Sequence, residues 1–260
     1  MEKSKTSKLR TFNIVMGSLH LVQAIAMVCL SIVIDQVASF KPEVTTTYLA
    51  FDPLLNALAP TSKGLFALPF GIMVSLFLFV SAFFHFLIGV PKKVNEAYNR
   101  GLERNINQFR WYEYSISSSI MMVLIAVLFG VLDLGTLILV FLLNASMSLF
   151  GLLMEKMNQG REKVTWLPFA FGCVAGIGGW IIVLISLLSC EDLSLVPWFV
   201  YVIAAVYFVL FNLFPVNMIL QYKKVGKWKD YLYGERAYII LSLVAKTLLA
   251  WLVFAGIMQP

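Results

Sequence analysis

A chain of 260 residues that is 60% hydrophobic and 13% charged, with a mean hydropathy of +0.84, is no ordinary soluble domain, in which about a quarter of residues carry charge. Apolar runs long enough to cross a bilayer as helix (about 20 residues) recur along it, predicting an all-α, polytopic membrane protein. The net charge of +6 points, once its residues are sorted by position, to a membrane face in contact with the bilayer; no nucleic-acid partner is expected.

In chain order, the basic start MEKSKTSKLR runs into a full-length apolar segment with no small-residue cleavage site, which reads as a retained first helix rather than a signal peptide. Spans are predicted at 12–34, 65–90, 111–132, 134–154, 166–189, 196–220 and 237–257, as one seven-helix domain covering 1–260. The first outer connection, 35–64, contains EVTTTYLAFD bracketed by Pro42 and Pro53. A small β-hairpin is one reading of this β-branched and aromatic stretch, an irregular loop the other. In span 5, FGCVAGIGGW spaces Gly172, Gly176 and, offset, Ala175 and Gly179 at intervals that suit close helix approach or room for a flat ligand. Pro215 is expected to kink span 6. Cys29, Cys173 and Cys190 lack metal spacing and read as small buried residues rather than a disulfide framework. No internal repeat supports a transporter built from inverted halves.

Seven spans put the termini on opposite sides, and the basic residues choose between them. Lys3, Lys5, Lys8 and Arg10 precede span 1; Lys92, Lys93, Arg100, Arg104 and Arg110 follow span 2. Lys156, Arg161 and Lys163 follow span 4, and Lys223, Lys224, Lys227, Lys229 and Arg236 follow span 6. The other side has Lys41 and Lys63 alone. Cytoplasmic loops collect Lys and Arg, so the N-terminus is expected in the cytoplasm and the C-terminus outside, inverted relative to G-protein-coupled receptors and ordinary microbial rhodopsins.

Lys246, in LSLVAKTLLAW, is the one basic residue this sorting leaves inside the membrane, and Glu113, in RWYEYSISSSI, is the one acid. A buried ion is tolerable when a partner and hydrogen bonds replace its water, so the two are expected to pair. Their depths differ: Lys246 lies about 15 Å past Arg236 along its helix and Glu113 about 4–5 Å past Arg110, a gap narrowed by a lysine side chain that points back toward the helix N-terminus. The alternative is an interfacial Glu113 beside Arg110. Ser242 lies one turn inward of Lys246 on the same face, and span 3 adds Ser115, Ser117, Ser118 and Ser119. His20 and His85 fall in the inner half and, with Gln23, Glu113 and Ser242, are candidates to line a polar, hydrated cavity; a histidine hydrogen-bonded between helices is the plainer reading. Met147, Trp180, Phe211 and Trp251 are bulky residues around Lys246: core by periodicity, and candidate walls for a ligand.

A buried lysine serves as a static ion pair, as a coupling residue in an ion or substrate path, or as the site of a Schiff base. Burial disfavours the charged amine, and the neutral amine is the nucleophile that condenses with an aldehyde; the protonated product needs a carboxylate counterion. A lysine midway through the seventh of seven helices points to retinal.

The stretches FNIVMGSLHL, SAFFHF, NQFRWYEYSISSSIMMVLIA, NASMSLFG, FGCVAGI and GERAYIILSLVAKTLLAW, in this order, resemble the heliorhodopsin family over nearly the whole chain, and the inverted topology agrees. The resemblance implies all-trans retinal on Lys246, Glu113 as its counterion, and Ser242, Ser81 and Ser118 close to the linkage. It implies His20 and His85 in the inner cavity, Met147, Trp180 and Phe211 at the retinal pocket, a homodimer and a small outer hairpin. The function expected is light sensing read by an unidentified cytoplasmic partner, rather than enzymatic turnover. Light-driven or light-gated ion transport is the alternative; pumping normally wants titratable groups on both sides of the lysine, and the outer half offers none.

Overall fold

The computed structural model describes residues 3–258, with side chains from residue 7 onward except at 195. The elements are α1 (Lys3–Val33), α2 (Asp35–Ser39), β1 (Glu43–Asp52), β2 (Ala57–Ala67), α3 (Phe70–Gly89), α4 (Lys92–Glu103), α5 (Gln108–Leu128), α6 (Leu134–Met157), α7 (Leu167–Leu188), α8 (Trp198–Tyr222) and α9 (Tyr231–Ile257). Seven of the described helices are long and apolar enough to cross a bilayer: α1 from Ser7, α3, α5, α6, α7, α8 and α9. They form a bundle in which α1 packs on α3, α3 on α5, α5 on α6, α6 on α7 and α8 on α9, with α9 touching α1 and α3. The α7 and α8 backbones hardly approach each other. One end of the bundle carries the basic loops and the other the β-hairpin.

Local chemistry sets the helix ends. Asn107, Asp133 and Asp230 cap α5, α6 and α9, their side chains accepting from the backbone N–H of Arg110, Thr136 and Leu232, which satisfies donors the helix itself cannot. Helix α5 ends on Gly130 at φ +81°, with Val131 N–H bonded to Ala126 C=O and Gly130 N–H to Val127 C=O, a left-handed stop that glycine takes without strain. Pro69 precedes α3 and forces Leu68 extended, so β2 runs to Ala67 and this span starts at Phe70, not at 65. Pro215 sits within α8, which continues past it to Tyr222.

The connection between the first two spans is a hairpin. Strands β1 and β2 pair antiparallel from Glu43↔Ala67 to Asp52↔Ala57, with an irregularity between Val44 and Thr45. Asp52 Oδ1 closes the turn by accepting from the N–H of Leu54 and Leu55, and Asn56 takes a positive φ. The base is tied to the bundle through Thr45 N–H to Leu132 C=O at 2.9 Å and Thr47 N–H to Asp133 Oδ2 at 3.3 Å.

Asp133 thus caps α6 and holds β1 at once. Hydrogen bonds, first from the Thr136 backbone and then its hydroxyl, keep its carboxyl below the usual range. A depressed carboxylate contributes stability above its unfolded pKa and loses it as pH falls through the folded one. Asp133→Ala is therefore expected to cost about 1 kcal/mol near neutral pH, seen as a lower thermal unfolding temperature, with the difference from wild type shrinking on acidification.

Three expectations are corrected. Residues 92–103, read as loop, form α4, an amphipathic helix laid across the basic end with Asn95, Tyr98 and Leu102 buried. Arg110, assigned to that loop, is buried inside α5, which begins at Gln108. Cys29, Cys173 and Cys190 are free but exposed rather than buried, because each sits on a face or end of its helix that no neighbouring helix covers.

Candidate functional site

Lys246, buried midway along α9, donates from Nζ to Glu113 Oε1 on α5 at 2.5 Å and to Ser242 Oγ at 2.9 Å. Glu113 also accepts from Ser81 Oγ on α3 at 2.6 Å, and the Tyr114 ring lies 5.4 Å from Nζ. The depth difference closes because the lysine side chain returns one turn along its own helix. Both ions are partnered, which makes their burial tolerable. The interfacial alternative is thereby removed, since Arg110 turns away from Glu113 to other acids.

Beside this pair, between α5, α6, α7, α8 and α9, opens a cavity of about 490 Å³, within the range of small-molecule sites. Lys246, Ser242, Ser118, Met147, Trp180 and Phe211 all line it. So do Gly172 and Gly176; a Cβ on Gly176 would stand 2.6 Å from Met147 Sδ, so the missing side chain makes both the helix approach and the room. Exposed residues of α7 and α8, among them Ile177, Ile181 and Phe208, form its outer wall. Trp251 does not belong here. It is 44% exposed, because five residues beyond Lys246 turn it about 140° around the helix.

A second, small cavity of about 30 Å³ lies on the basic side of the pair, between Glu113, Ser242, His85, Asn13, Arg110 and Glu235. His85 Nδ1 is 2.9 Å from Asn13 Oδ1, and the His20 ring stacks on His85 at 5.6 Å. The rings meet because Gly17 lets α1 approach α3; a Cβ there would stand 3.0 Å from His85 Cβ. His20 stacks behind His85 without lining the cavity, and Gln23 is not brought in: its amide bonds back to Leu19 C=O at 3.3 Å on its own helix.

Beyond this cavity lies a charge cluster that sorting residues by loop concealed. Arg110 forks between Glu155 of α6 and Glu235 of α9, all three buried. Asn107 donates its N–H to Glu155 at 2.9 Å and its amide to Glu235 at 2.5 Å. Tyr98 OH donates to Glu235 and Tyr231 OH to Glu155, each at 3.2 Å. The guanidinium also lies 4.0 Å from the Tyr238 ring centre. Burial holds the Tyr98 phenol well above its usual pKa, so it stays a donor. Asn144, also missed, donates to Ser118 Oγ at 2.7 Å; as the one amide in the apolar run 134–154 it was a readable signal.

The lysine, its carboxylate and the long apolar cavity fit retinal by the chemistry of their groups: an amine at one end, an anion beside it, and aromatic, methionine and glycine walls beyond. Seven spanning helices with this arrangement on the last of them define a retinal-binding rhodopsin, a multi-pass membrane protein. Residues 9–258 match the family model of heliorhodopsin, and the chain belongs to the heliorhodopsin family. No curated protein matches it.

Proposed function

We propose that this protein is a light sensor that binds all-trans retinal at Lys246 and signals through its basic face, which lies in the cytoplasm with the N-terminus. The observation that carries this is the Lys246–Glu113 pair at the head of the cavity. Retinal, when bound, supplies light absorption and isomerisation. Glu113 holds the proton on Nζ by its charge, Ser242 and Ser81 orient the two partners, and Met147, Trp180 and Phe211 exclude water from the walls. Homodimerisation, common in the family, belongs to the same proposal.

Ion transport is the rival reading. Among the described residues, the buried titratable acids, bases and histidines (His20, His85, Arg110, Glu113, Glu155, Glu235 and Lys246) lie at or on the basic side of the pair. Among the described residues the hairpin side offers no buried acid to receive or supply a proton, which favours sensing. Adding all-trans retinal to the expressed protein should produce a visible band that Lys246→Ala abolishes; a band that persists in the variant would refute the attachment. Under voltage clamp the loaded protein should give no light-driven current, and a reproducible current would decide for transport.

A further inference from the structure

The Arg110 cluster sets two buried carboxylates against one guanidinium. Each carboxylate is ringed by donors: Arg110, the Asn107 side chain and Tyr98 for Glu235; Arg110, the Asn107 backbone and Tyr231 for Glu155. Guanidinium and amide N–H groups can only donate, so these contacts suit carboxylates better than carboxylic acids. Two carboxylates set against one guanidinium leave the cluster one negative charge beyond what Arg110 offsets. The Lys246–Glu113 pair is neutral by itself. The uncompensated charge thus lies on the basic side of Lys246, where it attracts a proton.

The two acids differ in access. Glu235 lines the 30 Å³ cavity together with Glu113, His85 and Ser242, and Glu155 does not. The cavity has room for a water, which needs about two to four polar partners, and these side chains provide them. Glu235, Ser242 and Lys246 also stand at i, i+7 and i+11, on one face of α9.

We propose that Glu235 is the group that takes up the proton leaving Lys246 Nζ, a role that rests on the chromophore reading above. The N–H bond at Nζ breaks and its electron pair stays on nitrogen. The proton passes by way of Ser242 and one water to a carboxylate oxygen of Glu235, whose charge goes from −1 to 0. Total buried charge is unchanged, since Nζ loses what Glu235 gains. Glu113, 2.5 Å from Nζ, returns a proton as readily as it takes one, so holding the charges apart needs a group farther off. The groups facing Glu235 are Tyr98 of α4, Arg110 and Tyr114 of α5, Glu155 of α6, and Tyr231 and Tyr238 of α9, with His85 of α3 and Glu113 across the cavity. A neutral Glu235 holds Arg110 and Tyr98 less tightly, so α4 is the surface element that registers the transfer.

Infrared spectroscopy of the protein in lipid tests this with and without retinal. Illuminated without retinal, wild type should give no light-induced carboxyl band. On illumination of the retinal-loaded protein a protonated-carboxyl band should appear in wild type, Glu155→Gln and Glu235→Asp and be missing in Glu235→Gln, and amide exchange in 92–103 should rise in wild type but not in that variant. A light-induced carboxyl band unchanged in Glu235→Gln, one lost in Glu155→Gln instead, or an imidazolium signal from His85 in its place would overturn the proposal. Should wild type form no visible band at all, the chromophore reading falls separately, while a visible band together with a light-induced carboxyl band persisting in Glu235→Gln refutes this one on its own.

Discussion

Glu113→Gln is expected to strip most of the visible band from the retinal-loaded protein at neutral pH and to return it on acidification, while Glu113→Asp keeps it. At the 2.5 Å separation of Lys246 Nζ and Glu113 Oε1, unit charges attract by roughly 6–7 kcal/mol at an effective dielectric constant of about 20. Glutamine leaves Nζ a neutral acceptor and Ser242, neither of which replaces the anion. A buried group deprived of its counter-charge neutralises rather than persist as an ion. One pH unit corresponds to about 1.4 kcal/mol, so losing even a third of that attraction moves the spectral titration by more than one unit. Ser81→Ala, which removes one hydrogen bond to the carboxylate worth about 1.5–3 kcal/mol, should move it in the same direction by less. A Glu113→Gln titration that superimposes on wild type would take Glu113 out of the counterion role.

The Lys246–Glu113 pair was legible because each was the sole charge of its sign in an apolar run, and such residues are retained for a task. The cavity walls were half legible. Met147, Trp180 and Phe211 face the site, whereas Trp251 is as bulky and lies on the lysine's own helix but points about 140° away from Lys246. Bulk near a lysine in sequence says little without the angle. The hairpin showed in EVTTTYLAFD, yet its second strand, ALAPTSKGLFA, blends into the apolar span that follows, and Pro69 is what separates them.

The Arg110 cluster was hidden for a different reason. Arg110, Glu155 and Glu235 each lie within a few residues of a basic loop, where solvation is the ordinary state of a charge. Their burial follows from α4, which folds over the basic end and brings Tyr98 onto Glu235. Its amphipathic pattern was present in KKVNEAYNRGLE, but a pattern between two spans gives no sign of what it covers.

Arg110→Ala is expected to destabilise the fold by about 3–5 kcal/mol, the cost of leaving a buried ion without its partner. Here two carboxylates lose the same cation, and the stacking on Tyr238 goes with it, about 0.5–2 kcal/mol more. Arg110→Lys should recover only part of this, since one ammonium cannot reach Glu155 and Glu235 as a planar fork does. Thermal unfolding of the purified protein in detergent would rank wild type above Arg110→Lys above Arg110→Ala. Replacing Arg110, Glu155 and Glu235 together by apolar residues of similar volume should recover much of the loss, because the desolvation of all three ions is removed with their attraction, while Tyr98, Asn107 and Tyr231 are left short of an acceptor. An Arg110→Ala protein as stable as wild type would mean that the cluster does not hold α5, α6 and α9 together at the basic end. If the ranking holds, the triple variant shows whether the cluster as a whole supplies the light-induced carboxyl band in an intact bundle, while Glu155→Gln and Glu235→Gln divide that band between the two acids.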